Sequence, residues 1–209
     1  LNPSSAASDV YKRQGLRRMG LALQQAGFLV LRLNLRGADP GRHLAGGTYA
    51  ARCNTDLLPV IARARELAAG RPLLGAGISL GGTMLLNACL TGPGVLDGLF
   101  CASSPLDLAA CSASIERPRN RVYQRWLLRR LVRQTLADPF GVSGLEETRL
   151  TGSSTPRTIR DFDSAVTAPR WGFADVDAYY TEASPLHHLV KAQHRMPKTL
   201  LLQAEDDPW

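Results

Sequence analysis

The sequence is poor in cysteine, and its cysteines are not spaced as metal ligands or as a tight disulfide framework. The four are Cys53, Cys89, Cys101 and Cys111, and no two of them form a C-x-x-C pair. Zinc sites and disulfide-stabilised small folds use closely spaced cysteines. The spacing therefore indicates neither kind of site, and we expect four reduced thiols that are mostly buried.

Long hydrophobic runs and acidic residues are also scarce. No apolar run reaches the roughly 18 to 20 residues that cross a bilayer, and no segment of signal-peptide type opens the chain. Lys and Arg number 25 against 18 acidic residues, which gives a net charge of +7. This surplus favours anionic partners such as a phospholipid surface. No nucleic-acid-binding module accompanies it, so nucleic acid is not expected as a partner. We expect a cytoplasmic protein.

The two ends of the sequence differ from its middle. Residues 1–14, LNPSSAASDVYKRQ, are polar and without pattern, and we treat them as a non-native tail outside the fold. The last residues follow the AEDDP segment directly, with no closing helix. The whole chain has 209 residues and 44% hydrophobic content, which suffice for one sizeable core. We therefore expect one α/β fold that is truncated at both ends.

Predicted strands and helices alternate along the first half of the chain, which indicates a mostly parallel sheet of the α/β class. Apolar residues three or four apart predict helices over 16–26, 56–69 and 81–90, the second capped by Asn54 or Thr55. Apolar runs predict strands over 28–37, 73–79, 95–104 and 198–204. Domain predictions follow: a core over 15–105, a helical cap or insertion over 106–196, and a returning core strand with an acidic loop over 197–209.

Ser79 lies in the segment Gly77-Ile78-Ser79-Leu80-Gly81, a G-x-S-x-G pattern between a predicted strand and a predicted helix. This is the context of a nucleophile elbow, in which a serine sits on a strained strand-to-helix turn. We expect glycine at 77 and 81 because side chains there would collide with neighbouring backbone. The backbone N–H of Leu80 would be one oxyanion donor. The alternative is a chance match in a glycine-rich turn.

A serine nucleophile needs a base and an acid that orients the base. The carboxylates after the last predicted strand are candidates for the acid, and we favour Asp207 over Asp206; the alternative is that both are ordinary loop residues. In α/β folds with a nucleophile elbow, the chain order of the catalytic residues is serine, acid, histidine. In this sequence all four histidines precede Asp207: His43, His187, His188 and His194. We therefore expect the base to lie beyond Trp209 and this chain alone to be inactive. No metal or other cofactor is predicted.

Two features of the predicted insertion have an ordinary and a functional interpretation. Arg121, Arg125, Arg129 and Arg133 recur at every fourth position beside Trp126, which is typical of a basic amphipathic helix. We favour a solvated cap helix over peripheral contact with an anionic membrane through Arg121, Arg125 and Arg129. Core packing is likewise favoured over an acyl-chain pocket for five aromatic residues: Phe162, Trp171, Phe173, Tyr179 and Tyr180.

Several segments together resemble the YheT-like family of α/β-hydrolase fold proteins. In chain order they are NLRGADPGR, GISLGGTMLL, ASSPLDLAACSASIE, RVYQRWLLRRLVRQ, TIRDFDSAVTAPRWGFADVDAYY and TLLLQAEDDPW. The similarity runs from residue 15 to residue 209. Its most specific parts are PLDL with the following RVYQR, and the DF-x-x-x-VTAP-x-x-GF segment.

The resemblance implies an α/β-hydrolase fold and a serine esterase acting on medium-chain or lipid-like esters. It implies Ser79 as the nucleophile and Asp207 as the acid. The histidine-glycine loop that supplies the second oxyanion donor would precede Gly15, and the catalytic histidine would follow Trp209. The alternative hypothesis is a non-catalytic lipid-binding or regulatory protein that keeps the elbow as architecture.

Overall fold

The computed structural model describes residues 15–207, except for the side chain of Gln193. The chain divides into two compact units, which contribute the described residues 15–34 and 35–207. In the first unit, helix α1 spans 15–25, as predicted, and is followed by a segment without regular secondary structure. Gly20 of α1 lies near this segment, since a Cβ on Gly20 would be 3.7 Å from Cγ1 of Val30.

The strand predicted over 28–37 is not formed, and that prediction is wrong. Residues 28–35 belong to no strand, and residues 36–37 form a turn. Phe28, Leu29 and Leu31 are exposed. Alternating apolar residues make a strand only when a neighbour satisfies their backbone N–H and C=O groups. No ladder among residues 15–207 includes this segment, so its local pattern lacks the partner that a strand requires.

The second unit contains a parallel three-stranded sheet, which confirms the α/β class. Strand β1 spans Leu74–Ile78, β2 spans Gly98–Ala102 and β3 spans Lys198–Leu202, in the order β1-β2-β3. The register pairs Leu74 with Gly98 and Gly98 with Lys198. All three strands lie within predicted segments. Because the strands are parallel, their carboxyl ends meet at one edge of the sheet.

Two helices from the first half of the chain pack with the sheet. Helix α2 spans Asn54–Ala68 and α3 spans Leu80–Cys89. The cap of α2 was predicted incorrectly, because Cys53 occupies the N-cap position and makes no side-chain cap bond. Apolar residues of α2, α3, β2 and the segment before β2 form one buried cluster: Leu57, Ile61, Met84, Leu86, Ala88, Leu96 and Leu99 with three cysteines. All four cysteines are free, and Cys111 alone is half-buried, as the sequence predicts.

The segment between β2 and β3, residues 103–197, is helical, and we call this helical segment the insertion. Its helices are α4 Leu108–Ile115, α5 Arg121–Leu136, α6 Gly144–Leu150, α7 Ile159–Phe162, α8 Ala168–Arg170, α9 Val176–Ala183 and α10 Leu186–Ala192. A π-helical turn, Asp163–Thr167, joins α7 to α8, and short 3-10 turns in this segment cover Pro118–Asn120, Gly152–Ser154 and Gln193–Arg195. A further 3-10 turn, Gly41–His43, lies before α2. The insertion has its own buried hydrophobic cluster, which consists of Ile115, Leu128, Leu150, Ile159, Phe162 and Val166.

Asp163 is a carboxyl group held inside this helical segment. Its Oδ1 accepts a hydrogen bond from Thr167 Oγ1 at 2.7 Å, and its Oδ2 accepts one from the Tyr180 hydroxyl at 2.9 Å. Burial raises the pKa of Asp163 to about 6, and the two hydrogen bonds oppose that rise. Burial therefore outweighs the hydrogen bonds, and Asp163 keeps its proton to a higher pH in the folded protein than in the unfolded chain.

We expect Asp163 to make stability fall as the pH rises from about 4, near the pKa of an unfolded Asp, to about 6. In this window the folded state binds more protons than the unfolded state, so raising the pH favours unfolding. The Asp163→Asn variant has no titratable group at this position, so it lacks this pH-dependent contribution to the free energy of unfolding. Urea unfolding at a series of pH values should show the wild type losing free energy of unfolding relative to Asp163→Asn across the window. Parallel pH profiles for the two proteins would contradict the assignment.

Candidate active site

Ser79 occupies the turn between β1 and α3 in a backbone conformation that L-residues rarely adopt. Its φ is 55° and its ψ is −135°. The Ser79 N–H donates to the carbonyl of Ala102 at 2.8 Å, and its own carbonyl accepts from Gly82 N–H at 3.0 Å. The first bond joins the turn to the end of β2 and the second closes the first turn of α3. This geometry matches a nucleophile elbow, in which backbone strain accompanies function.

Two close approaches around this turn require glycine. A Cβ on Gly77 would lie 2.4 Å from the backbone nitrogen of Gly82. A Cβ on Gly82 would in turn lie 2.0 Å from Ser104 Oγ, so Gly82 packs directly on the segment after β2. At Gly81 an added Cβ meets nothing within 4 Å. The predicted collision is therefore present at Gly77 and absent at Gly81, and the second close approach belongs to Gly82.

The candidate acid follows β3 at the same edge of the sheet where Ser79 follows β1. Strand β2 lies between them, so the two strand ends are two strand spacings apart, or about 10 Å. That separation leaves room for an imidazole between a serine and a carboxylate. Asp206 is exposed and Asp207 is half-buried, with its N–H donating to the carbonyl of Ala204 at 3.3 Å.

The charge of Asp207 acts on Cys111 of helix α4. Burial is the main reason that the pKa of the Cys111 thiol rises to about 11, and the negative charges of Asp107 and Asp207 add to the rise. Asp107 also follows β2 at this edge, but its carboxylate accepts from Ala110 N–H at 3.0 Å as the N-cap of α4. Asp107 is thus engaged in capping a helix.

The structure does not bring a histidine to the candidate nucleophile. His43, His187, His188 and His194 are all exposed. Among residues 15–207, no hydrogen bond joins the imidazole of any of them to Ser79. No group of three or more His, Cys, Asp or Glu side chains in the described part of the chain could hold a metal ion.

The segment over 48–51 is held by side chains from α3 and from more distant parts of the chain. Trp171 Nε1 donates to the carbonyl of Thr48 at 3.0 Å. The Ala51 N–H donates to the Tyr179 hydroxyl at 3.0 Å, and the Ala51 carbonyl accepts from Asn87 Nδ2 at 2.9 Å. These bonds join the insertion, the loop before α2 and helix α3 beside the elbow.

The aromatic residues of the insertion divide into two groups. Phe162, Tyr179 and Tyr180 are each 3% exposed and belong to the buried core, as the favoured interpretation predicts. Trp171 and Phe173 are half-buried. Together with Leu80, the residue after Ser79, they pack against one buried cluster that includes Ala50, Ala51, Leu108, Ala168, Val176, Tyr179, Tyr180 and Ala183. Trp171 and Phe173 thus present partly accessible aromatic surface on the cluster against which Leu80 packs.

The basic stripe of α5 faces outward. Arg121, Arg125, Arg129 and Arg133 are exposed, whereas Gln124 and Leu128 are buried. Tyr123 stacks on Trp126 at a centroid distance of 5.8 Å, and the Arg130 guanidinium lies 5.1 Å from the Trp126 ring.

No helix among residues 15–207 is both long enough and apolar enough to span a bilayer.

Comparison with known proteins gives relatives for most of the chain. The Escherichia coli protein named "Putative esterase YheT" is 36% identical over 143 residues, which cover 66% of this chain and 40% of the relative. The Mus musculus protein named "Phospholipase ABHD3" is 30% identical over 194 residues, which cover 88% of this chain and 44% of the relative. The Caenorhabditis elegans "Protein abhd-3.2" is 28% identical over 162 residues, or 76% of this chain and 42% of the relative.

The chain is a member of the YheT-like family of α/β-hydrolase fold proteins. The resemblance inferred from its segments is confirmed, and so is the fold class. The chain spans less than half the length of the curated relatives it matches. No family profile matches it, and no solved structure matches it.

Within this YheT-like chain, sequence reasoning missed residues that support the elbow from outside the motif. Gly82 follows Gly81 directly, so the repeated glycine was an available signal. Ser104, which Gly82 contacts, carries no such signal, because its role depends on β2 ending beside β1. Asn87 and Tyr179 were equally invisible, since their bonds to Ala51 join residues 36 and 128 positions apart.

We expect Gly82→Ala to destabilise the protein and Gly81→Ala to leave it unchanged or more stable. The first variant places a methyl group 2.0 Å from Ser104 Oγ, and such overpacking costs about 1 to 3 kcal/mol. The second meets open space and gains up to about 1 kcal/mol of helix propensity. Chemical unfolding of both variants measures the difference. Equal stability of the two would show that α3 does not approach β2 this closely.

Proposed function

We propose that the whole protein is a serine hydrolase of carboxylic esters with medium-chain or lipid-like acyl groups. The observation that carries this proposal is the conformation of Ser79, which has a positive φ at the carboxyl end of β1 and precedes α3. A serine that only filled a turn would not need the close glycine approaches on both sides. The names of two relatives, an esterase and a phospholipase, support ester substrates.

In this mechanism Ser79 Oγ attacks the acyl carbonyl and forms a tetrahedral intermediate. The backbone N–H of Leu80, at the start of α3, stabilises the developing oxyanion. A histidine beyond Trp209 in the whole protein accepts the serine proton and returns it to the leaving alcohol. Asp207 orients that histidine. Water then attacks the acyl-enzyme, releases the carboxylic acid and restores Ser79.

The half-buried Trp171 and Phe173 suit the acyl part of such a substrate. Both pack against the cluster that also supports Leu80, so their accessible ring surface lies on the same cluster as the residue after the nucleophile. Aromatic surface beside a few polar groups is typical of sites for apolar ligands. The proposal therefore assigns acyl-chain contact to these two residues rather than to the buried Tyr179 and Tyr180.

Peripheral contact with an anionic membrane is part of this proposal. Arg121, Arg125 and Arg129 are exposed on one face of α5, where they can approach lipid phosphates without desolvating a buried charge. Each basic residue at an anionic surface contributes about 1 kcal/mol to binding. A lipid-like substrate would be reached from such a surface.

Substitution of the nucleophile and of the two neighbouring carboxylates tests the mechanism in the full-length protein. We expect Ser79→Ala to abolish hydrolysis of p-nitrophenyl esters. We expect Asp207→Asn to lower kcat about 10³- to 10⁴-fold, because an amide no longer stabilises the correct imidazole tautomer. Asp206→Asn is the matched control and should retain kcat within about threefold, since surface changes have small effects. Loss of activity in the control alone would reassign the acid to Asp206, and full activity of Ser79→Ala would refute the proposal.

A further inference from the structure

The C-terminal end of α5 carries exposed apolar side chains beside its arginines. Leu136, the last residue of α5, is 37% exposed, and Phe140 in the following loop is 61% exposed. Leu44, after the 3-10 turn Gly41–His43, is 76% exposed. We call Leu44, Leu136 and Phe140 the apolar patch. Leu44 and Phe140 thus leave most of their surface exposed, and Leu136 more than a third of its surface.

Direct contacts hold the segments that carry the apolar patch together. A Cβ on Gly46 would lie 2.8 Å from Cβ of Phe140, so Phe140 packs on the loop that contains Leu44. Arg42 Nη2 donates to the carbonyl of Gln134 at 2.9 Å, and Gln134 Nε2 donates to the carbonyl of Gly37 at 2.7 Å. These bonds fix the loop over 37–47 to the end of α5, so the three side chains are carried by two segments in direct contact.

Positive charge lines the same end of the helix. Arg125, Arg129 and Arg133 are exposed at every fourth position and lead to Leu136, three residues further on. Helix α5 contains no acidic residue. No salt bridge among residues 15–207 involves these three arginines. Their charge is therefore not neutralised within the described part of the chain, and it borders an exposed apolar tip.

The apolar patch is connected to the candidate nucleophile by a short length of chain. Leu44 is seven positions before Ala51, whose N–H donates to Tyr179 and which packs in the cluster with Leu80. Seven residues span at most about 24 Å when fully extended. The patch therefore lies in the same compact unit as the cluster beside Leu80, with Leu44 no more than about 24 Å from Ala51.

We propose that the apolar patch inserts into the interface of an anionic phospholipid bilayer while Arg125, Arg129 and Arg133 contact the lipid phosphates. This arrangement matches the two layers of a bilayer surface, in which charged headgroups overlie apolar acyl chains. Neither nucleic acid nor a uniformly charged protein surface offers an apolar layer beneath an anionic one. The inference rests on the proposed hydrolysis of lipid-like esters and adds the residues that dock the protein on its substrate's surface.

Vesicle sedimentation with the full-length protein tests this proposal. We expect binding to vesicles of phosphatidylcholine mixed with phosphatidylglycerol and much weaker binding to phosphatidylcholine alone. The double variant Leu44→Ser/Phe140→Ser should weaken binding to the mixed vesicles about tenfold, because it removes the inserting side chains. Arg133→Gln should weaken it about fivefold, and only at low salt.

Two variants outside the patch serve as matched controls. Val190 is 74% exposed, and Val190→Ser removes an equally accessible apolar side chain from α10. Arg71→Gln removes an exposed arginine outside α5. Both should bind the mixed vesicles as the wild type does. Unfolding midpoints near that of the wild type would establish that every variant is folded, as expected for exposed positions.

Three outcomes overturn the proposal: absence of binding to the mixed vesicles, equal binding by patch and control variants, or a dimer that dissociates on Leu44→Ser/Phe140→Ser without vesicle binding. The last would identify the patch as a contact between two copies. Hydrolysis of a water-soluble p-nitrophenyl ester separates this proposal from the proposed function. Patch variants should hydrolyse it normally, whereas a wild type that binds vesicles but hydrolyses no ester would contradict the enzyme and leave the docking surface supported.

Discussion

The close approach of α3 to β1 and β2 is the constraint on which the candidate site depends. Ser79 can adopt its positive φ because Gly77 allows the backbone nitrogen of Gly82 to lie against β1. Gly82 in turn allows α3 to pack on Ser104 at the end of β2. The first turn of the helix is thereby fixed, and so is the direction of its free N–H groups. Such rigid secondary structure behind Ser79 is what the proposed role as a nucleophile requires.

Side chains from the insertion extend this rigidity to the loop before α2. Trp171 and Tyr179 bind the backbone of the segment over 48–51, and Asn87 of α3 binds it from the other side while also donating to the carbonyl of Ala183. A buried amide that bonds two distant carbonyls is costly to replace, because its removal leaves both acceptors unsatisfied. The insertion therefore fixes the loop whose Ala50 and Ala51 belong to the same cluster as Leu80.

Much of this fold follows from local pattern. The strands at 74–78, 98–102 and 198–202 and the helix after Ser79 were predictable, because apolar runs and glycine positions report local structure directly. The segment over 28–37 shows the limit of this reasoning, since a strand also needs a partner that no local pattern reveals. Likewise, Gly81 belongs to the motif while Gly82 makes the contact. Which glycine is indispensable depends on Ser104, twenty-two residues away in sequence.

The central claim is that the strained turn at Ser79 carries a reactive nucleophile. The most direct measurement is mass spectrometry of the full-length protein after treatment with a fluorophosphonate, followed by peptide mapping. A single covalent adduct on Ser79, absent from the Ser79→Ala variant, is the expected result, because only an activated serine displaces fluoride from phosphorus. An unmodified Ser79 in folded protein would contradict the claim and assign the elbow a purely architectural role in a lipid-binding protein.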